Sequence, residues 1–201
     1  GFQPFIVPAM GSHGGGTAEG QTAVLADYGI TQASMGVPIR GGMETRILAT
    51  HPCGLNIFIS TAVLGADYLV LINRIKPHTK FKAEIESGLC KMMTIGLGKK
   101  EGAAEFHRYA VEHGFGIIEY AARMLLKHLN LLFGVGLIED SASRLAAVEA
   151  LPPNDLIARE KILLEKASQM MGRIPFDRLD ILIIDHFGKN ISGIGMDSNV
   201  T

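Results

Sequence analysis

At 201 residues, 47% of them apolar, and with a formal net charge of −1, the chain can bury a sizeable core in one domain, or in one and part of another. Its lysines and arginines are spread thinly, which excludes a basic field for nucleic acid or an anionic membrane, and no apolar run reaches the ~18 residues of a bilayer span. Cys53 and Cys90 sit among apolar neighbours, and the start, Gly-Phe-Gln-Pro, has neither an initiator Met nor a signal-peptide pattern; the expectation is a soluble, cytoplasmic piece of a longer chain.

In chain order, residues 5–10 are a short apolar run ending in a glycine-rich turn, which predicts a strand. A helix follows to about Tyr28, with Thr17 as its N-cap. Two alternating runs, 45–50 and 55–60, flank His51-Pro-Cys-Gly54 and predict a hairpin. Residues 67–73 are continuously apolar, as in a strand covered on both faces. Helices are expected near 86–95, 101–113 and 117–128, then a strand pair at 131–138 and 145–151. Leu151-Pro-Pro-Asn-Asp155 reads as a boundary between a domain over 1–150 and a connecting segment, 151–201, that starts a second α/β domain. That segment opens with a helix near 155–171, charged on one face, and continues with a buried strand at 180–185 and a glycine-rich loop at 188–195. Strand–helix alternation predicts an α/β fold with a mainly parallel sheet flanked by helices.

The chemistry-bearing residues cluster in 76–107, KPHTKFKAEIESGLCKMMTIGLGKKEGAAEFH, and in GSHGGGT at 11–17. His13 and His78 each follow a predicted strand and stand beside a Gly or Pro turn, where open α/β sheets place ligands. Imidazole binds metals and moves protons near neutral pH, and a desolvated lysine can form covalent bonds. Lys91 lies among Leu, Cys and Met; it is either snorkelling from a helix edge or functionally placed. His107 follows 16 residues later, which on one straight helix would mean ~24 Å, but Gly96 and Gly98 can break the helix and let the second segment fold back. The small neighbours of His107 (Ala103, Ala104, Ala110 and Val111) predict an inward face with room beside the ring; the plain alternative is a hydrogen-bonded core histidine. His113 and His128 read as structural or exposed. Gly14-Gly-Gly-Thr17 before a helix could cradle a phosphate, though it has neither dinucleotide-fingerprint nor P-loop spacing.

GSHGGGT, the KPH turn, and a lysine followed 16 residues later by a histidine resemble the nickel-pincer nucleotide-dependent lactate racemase family over most of residues 1–140. The resemblance implies an isomerase that racemises or epimerises a small 2-hydroxy acid by reversible hydride transfer to a nickel-pincer nucleotide. It implies Lys91 as covalent tether, with Gly14, Thr17 and Gly88 as further cofactor contacts. His107 would be the nickel ligand, and His13 and His78 the acid/base pair. Enzymes of cofactor synthesis would be partners, alongside the 2-hydroxy acid; neither nucleic acid nor membrane is expected. The segment between His78 and Lys91 is longer here than the family's glycine-rich loop, so Lys80 and Lys82 compete for the tether role. Two other classes stay open at this point: a non-catalytic nucleotide- or metal-binding module, and a histidine-metal hydrolase without an organic cofactor.

Overall fold

The computed structural model describes residues 1–79, 81–186 and 197–200. It is an α/β protein with two small sheets flanked by helices. After the GSHGGGT turn come α1 (Ala18–Asp27), with the predicted Thr17 cap in place, and α2 (Gln32–Met35). Strands β1 (Thr45–Thr50) and β2 (Asn56–Ser60) form the predicted antiparallel hairpin, and α3 (Thr61–Leu64) follows it. Strand β3 (Leu69–Arg74) leads through the KPH loop to a one-turn helix, α4 (Leu89–Lys91), and a π-helical turn at Met92–Gly96. Then come α5 (Lys99–His113), α6 (Ile117–His128), β4 (Leu131–Glu139), β5 (Leu145–Leu151) and α7 (Leu156–Met170).

The second sheet runs β3-β4-β5. Parallel pairing is confined to β3–β4, and β4–β5 is antiparallel, so the sheet is mixed rather than mainly parallel. The cause is local: β3 reaches β4 through the α4–α6 crossover, whereas a tight turn at Asp140–Arg144 returns β5 beside β4.

Three expected elements take other forms. Residues 5–10 make a single parallel bridge, Ile6 to Ile39, because Pro4 and Pro8 bring no N–H to a ladder. The helix expected at 86–95 starts only at Leu89 and slips to an i→i−5 bond, Leu97 N–H to Met92 O at 2.9 Å. The run at 180–185 is not a buried strand: it pairs with no strand among the described residues, and Ile183 is 85% exposed. The glycine-rich loop at 188–195 lies outside the described residues.

The core gathers Ile57 and Ile59 of β2, Leu71 of β3, Phe106 of α5, Ile118 and Leu125 of α6, and Leu163 of α7 around the segment 89–97. Within that segment Leu89, Cys90 and Met93 are fully buried, while Lys91 and Met92 are half-buried. No helix among the described residues is long and apolar enough to cross a membrane.

Candidate active site

The sequence-predicted residues fall into two pairs. The first is His78 with Lys91. Burial of Pro77 and the bridge between Lys76 and Ser87 fold the KPH loop back on itself. Glu86, itself buried, ties the loop: its Oε2 accepts the His78 backbone N–H at 2.5 Å and its Oε1 accepts that of Ala83 at 3.2 Å. The His78 ring stacks on Phe81 at 4.2 Å, Phe81 stacks on Phe115 at 3.7 Å, and Lys91 Nζ stands 5.5 Å from the centre of the Phe81 ring. Desolvation in this half-buried place, reinforced by the neighbouring Lys76 charge and opposed by Glu86, lowers the Lys91 amine to about 8. An amine so lowered is substantially neutral, and therefore nucleophilic, at mildly alkaline pH. Of its competitors, Lys82 is exposed and bonded to Asn199, and Lys80 lies outside the described residues. Asn199 also donates to His78 O at 3.2 Å, so residues 197–200 return to this loop.

The second pair is the His13 turn with helix α5, which carries His107. Gly14, Gly15 and Gly16 all have left-handed backbones (φ 63°, 68° and 65°), which L side chains rarely adopt, so the loop after His13 demands glycine. Thr17 Oγ1 accepts the Gly20 N–H at 3.0 Å and donates to Gly14 O at 3.2 Å, which commits this hydroxyl to the turn. The loop is seated on α5: the Gly11 N–H donates to Gly96 O at 3.2 Å, and a side chain at Gly11 would lie 3.3 Å from Ala103 Cβ. His107 is one helical turn beyond Ala103, and both His13 and His107 are exposed. The inward face expected for His107 is therefore incorrect. Lys99, Gly102, Ala103, Phe106 and Ala110 form the buried stripe, and the bulk of Phe106 sets it. Ala104 and Val111, the latter 86% exposed, lie with His107 on the solvent side.

Three buried polar side chains lie beside these residues. Lys99 is 0% exposed and has φ 55°, a strained conformation for a lysine. Its Nζ donates to Pro8 O at 2.7 Å and to Gln21 Oε1 at 3.2 Å, and burial lowers its amine to about 8 despite the opposing pull of Glu44. Gln21 passes the link on, donating to Gly11 O at 2.7 Å and to His13 O at 3.4 Å. Glu160 of α7 is 1% exposed and accepts the Cys90 N–H at 2.9 Å. A side chain at Gly88 would come within 2.3 Å of Glu160 Oε1, so the carboxyl would have to shift to admit one.

Among the described residues no group of three or more His, Cys, Asp and Glu side chains is placed to hold a metal ion. The lowered amine of Lys91 is chemically suited to covalent attachment of a ligand.

Fold and site together define an α/β protein with two histidine-bearing turns hung on one buried lysine-bearing segment. No known family profile matches the sequence, and no curated protein matches it. In three dimensions the chain resembles the lactate racemase apoprotein from Thermoanaerobacterium thermosaccharolyticum, with a TM-score of 0.63 and 21% identity over 85% of this chain. The likeness extends over 42% of that protein, so the chain spans less than half of its neighbour's length.

Proposed function

We propose that this chain carries part of a racemase or epimerase of small 2-hydroxy acids, with His13 and His78 as the proton-transfer pair, Lys91 as the attachment point of a nickel-pincer nucleotide and His107 as the nickel ligand. The observation that carries the reading is the placement of Lys91: a half-buried amine lowered to about 8, sharing the Phe81 ring with His78. The lactate racemase-like fold supports it.

When bound, such a nucleotide supplies a hydride acceptor. The chain's own groups do the rest. A neutral imidazole takes the substrate hydroxyl proton as the C2–H bond is broken and returns it when that bond reforms. Two imidazoles on separate turns allow each enantiomer its own base. Glu86 and Phe81 fix the backbone and ring plane of His78, while Gln21 and Lys99 fix the carbonyls around His13. The partners proposed are the enzymes that make the nucleotide.

The test is intact mass and metal content of the protein co-expressed with those enzymes, followed by chiral chromatography of 2-hydroxy acids. An adduct mapped to Lys91 and lost in Lys91→Ala, with about one nickel, is expected. His13→Ala and His78→Ala should each lower racemisation by at least 10²-fold, the usual scale for a positioned acid or base, and keep nickel. An unmodified chain from cells that load a control racemase would refute the reading. A loaded chain inert toward every 2-hydroxy acid would favour a binding module.

A further inference from the structure

Glu160 stands alone as a carboxyl inside the apolar stripe of α7, between Leu156 and Ile157 on one side and Leu163 and Leu164 on the other. Its Oε1 has no hydrogen-bond partner among the described residues. A buried carboxyl costs more than a Leu or Met of equal volume would, so its presence calls for something an apolar side chain cannot do. What it touches supplies the answer. Its Oε2 takes the Cys90 N–H, and its Oε1 lies against Gly88. From the opposite side Asn73, at the end of β3, donates to Gly88 O at 3.0 Å. The peptides from Gly88 to Cys90 are thus held between β3 and α7, and Lys91 is the next residue.

We propose that Glu160 is a positioning residue for Lys91: by accepting the Cys90 N–H it fixes the Gly88–Cys90 turn and so sets the Lys91 amine beside Phe81 and His78. The inference rests on reading Lys91 as the attachment point, and it adds that α7, beyond the boundary the sequence marks at Leu151, belongs to the site. The carboxyl acts through backbone geometry, not through contact with any ligand. A side chain that keeps the acceptor should keep the site; one that fills the same volume without an acceptor should not.

The experiment is competitive acetylation of the purified protein with acetic anhydride between pH 6 and 11, read peptide by peptide by mass spectrometry, in wild type, Glu160→Gln and Glu160→Met. Wild-type Lys91 should show a midpoint near 8. Glu160→Gln should reproduce it. In Glu160→Met the midpoint should rise toward the ordinary lysine value of about 10.4, with at least a threefold change in labelling at pH 8. Lys99 reports on the fold, because its lowered midpoint depends on a separate cluster. Lys91 unchanged in Glu160→Met, or moving only together with Lys99, would overturn the proposal. The outcome is independent of cofactor: if wild type carries no adduct in cells that load a control racemase, the attachment reading fails while the labelling result stands.

Discussion

Replacing Glu160 by Gln should reshape the pH dependence of stability. Burial raises this carboxyl from 4.5 to about 7, although the Cys90 amide and thiol and the Leu89 amide pull it back. The folded state therefore holds a proton that the unfolded state has released. Stability linked to that proton is fully present below pH 4.5 and is lost as pH rises through 7. A difference of about 2.5 in pKa, at 1.36 kcal/mol each, amounts to roughly 3 kcal/mol, of which roughly 2–3 falls between pH 5 and 8. Glutamine keeps an oxygen for the Cys90 N–H and cannot ionise. Urea denaturation of both proteins at pH 5, 6, 7 and 8 isolates the effect, since every other titrating group is common to the pair. Glu160→Gln should gain on wild type by about 2–3 kcal/mol across that range. Parallel curves would refute the claim that this carboxyl is buried and partly charged at neutral pH.

Lys99→Ala should cost ~2–4 kcal/mol, because Pro8 O and Gln21 Oε1 are left as buried acceptors; a loss below ~0.5 kcal/mol by thermal melting would show that neither bond matters. Gly88→Ala should destabilise by ~1–3 kcal/mol through overlap with Glu160, and far less in a Glu160→Ala background, giving a coupling of at least ~1 kcal/mol in a double-mutant cycle; additivity would refute the contact. A chain ending at Leu151 should lose cooperative unfolding in circular dichroism. Leu156, Ile157, Leu163 and Leu164 are each worth ~1.5–3 kcal/mol of burial, which together rivals the whole stability of a typical domain. A sharp melt from that shorter chain would support the boundary.

How much of this was legible in the sequence follows from how local each signal is. The hairpin β1–β2, helix α6 and the β4–β5 pair follow from alternation, periodicity and turn residues within a few positions, and the structure places them as expected. The α/β class was legible for the same reason. The sense of strand pairing was not, because it depends on how chain segments far apart come back together. His107 misled because its small neighbours looked like a buried face, while the adjacent Phe106 claimed the core. Lys99 carries no signal in the sequence, because nothing local announces a positive φ. Glu160 did leave a trace: it stands in the i, i+3, i+4 series of Leu156, Ile157, Leu163, Leu164 and Ala167, where a charge is out of place. What that trace could not give was the partner, Gly88, some 70 residues upstream.

Two buried ionisable groups, Glu160 and Lys99, bracket the buried segment 89–97. Glu160 grips its start next to Lys91, and Lys99 grips its end where α5 and the His13 turn meet. Both burials oppose stability, as the displaced pKa values of both groups record. An apolar substitute for Glu160 would make a better core and a looser turn, whereas one for Lys99 would leave Pro8 O and Gln21 Oε1 unpaired. Unpaired cost at a site boundary is where selection for position, rather than for stability, shows itself. Glu160→Met should raise the midpoint of urea unfolding near pH 7 or leave it within ~1 kcal/mol while loosening the Gly88–Cys90 turn beside Lys91. Lys99→Met, like Lys99→Ala, leaves Pro8 O and Gln21 Oε1 as buried acceptors, and should lower the midpoint and loosen the Gly11–Gly16 turn. Amide exchange of the Gly88–Cys90 and Gly11–Gly16 peptides separates the two, and equal protection losses in both segments from either variant would show that the two turns are one unit.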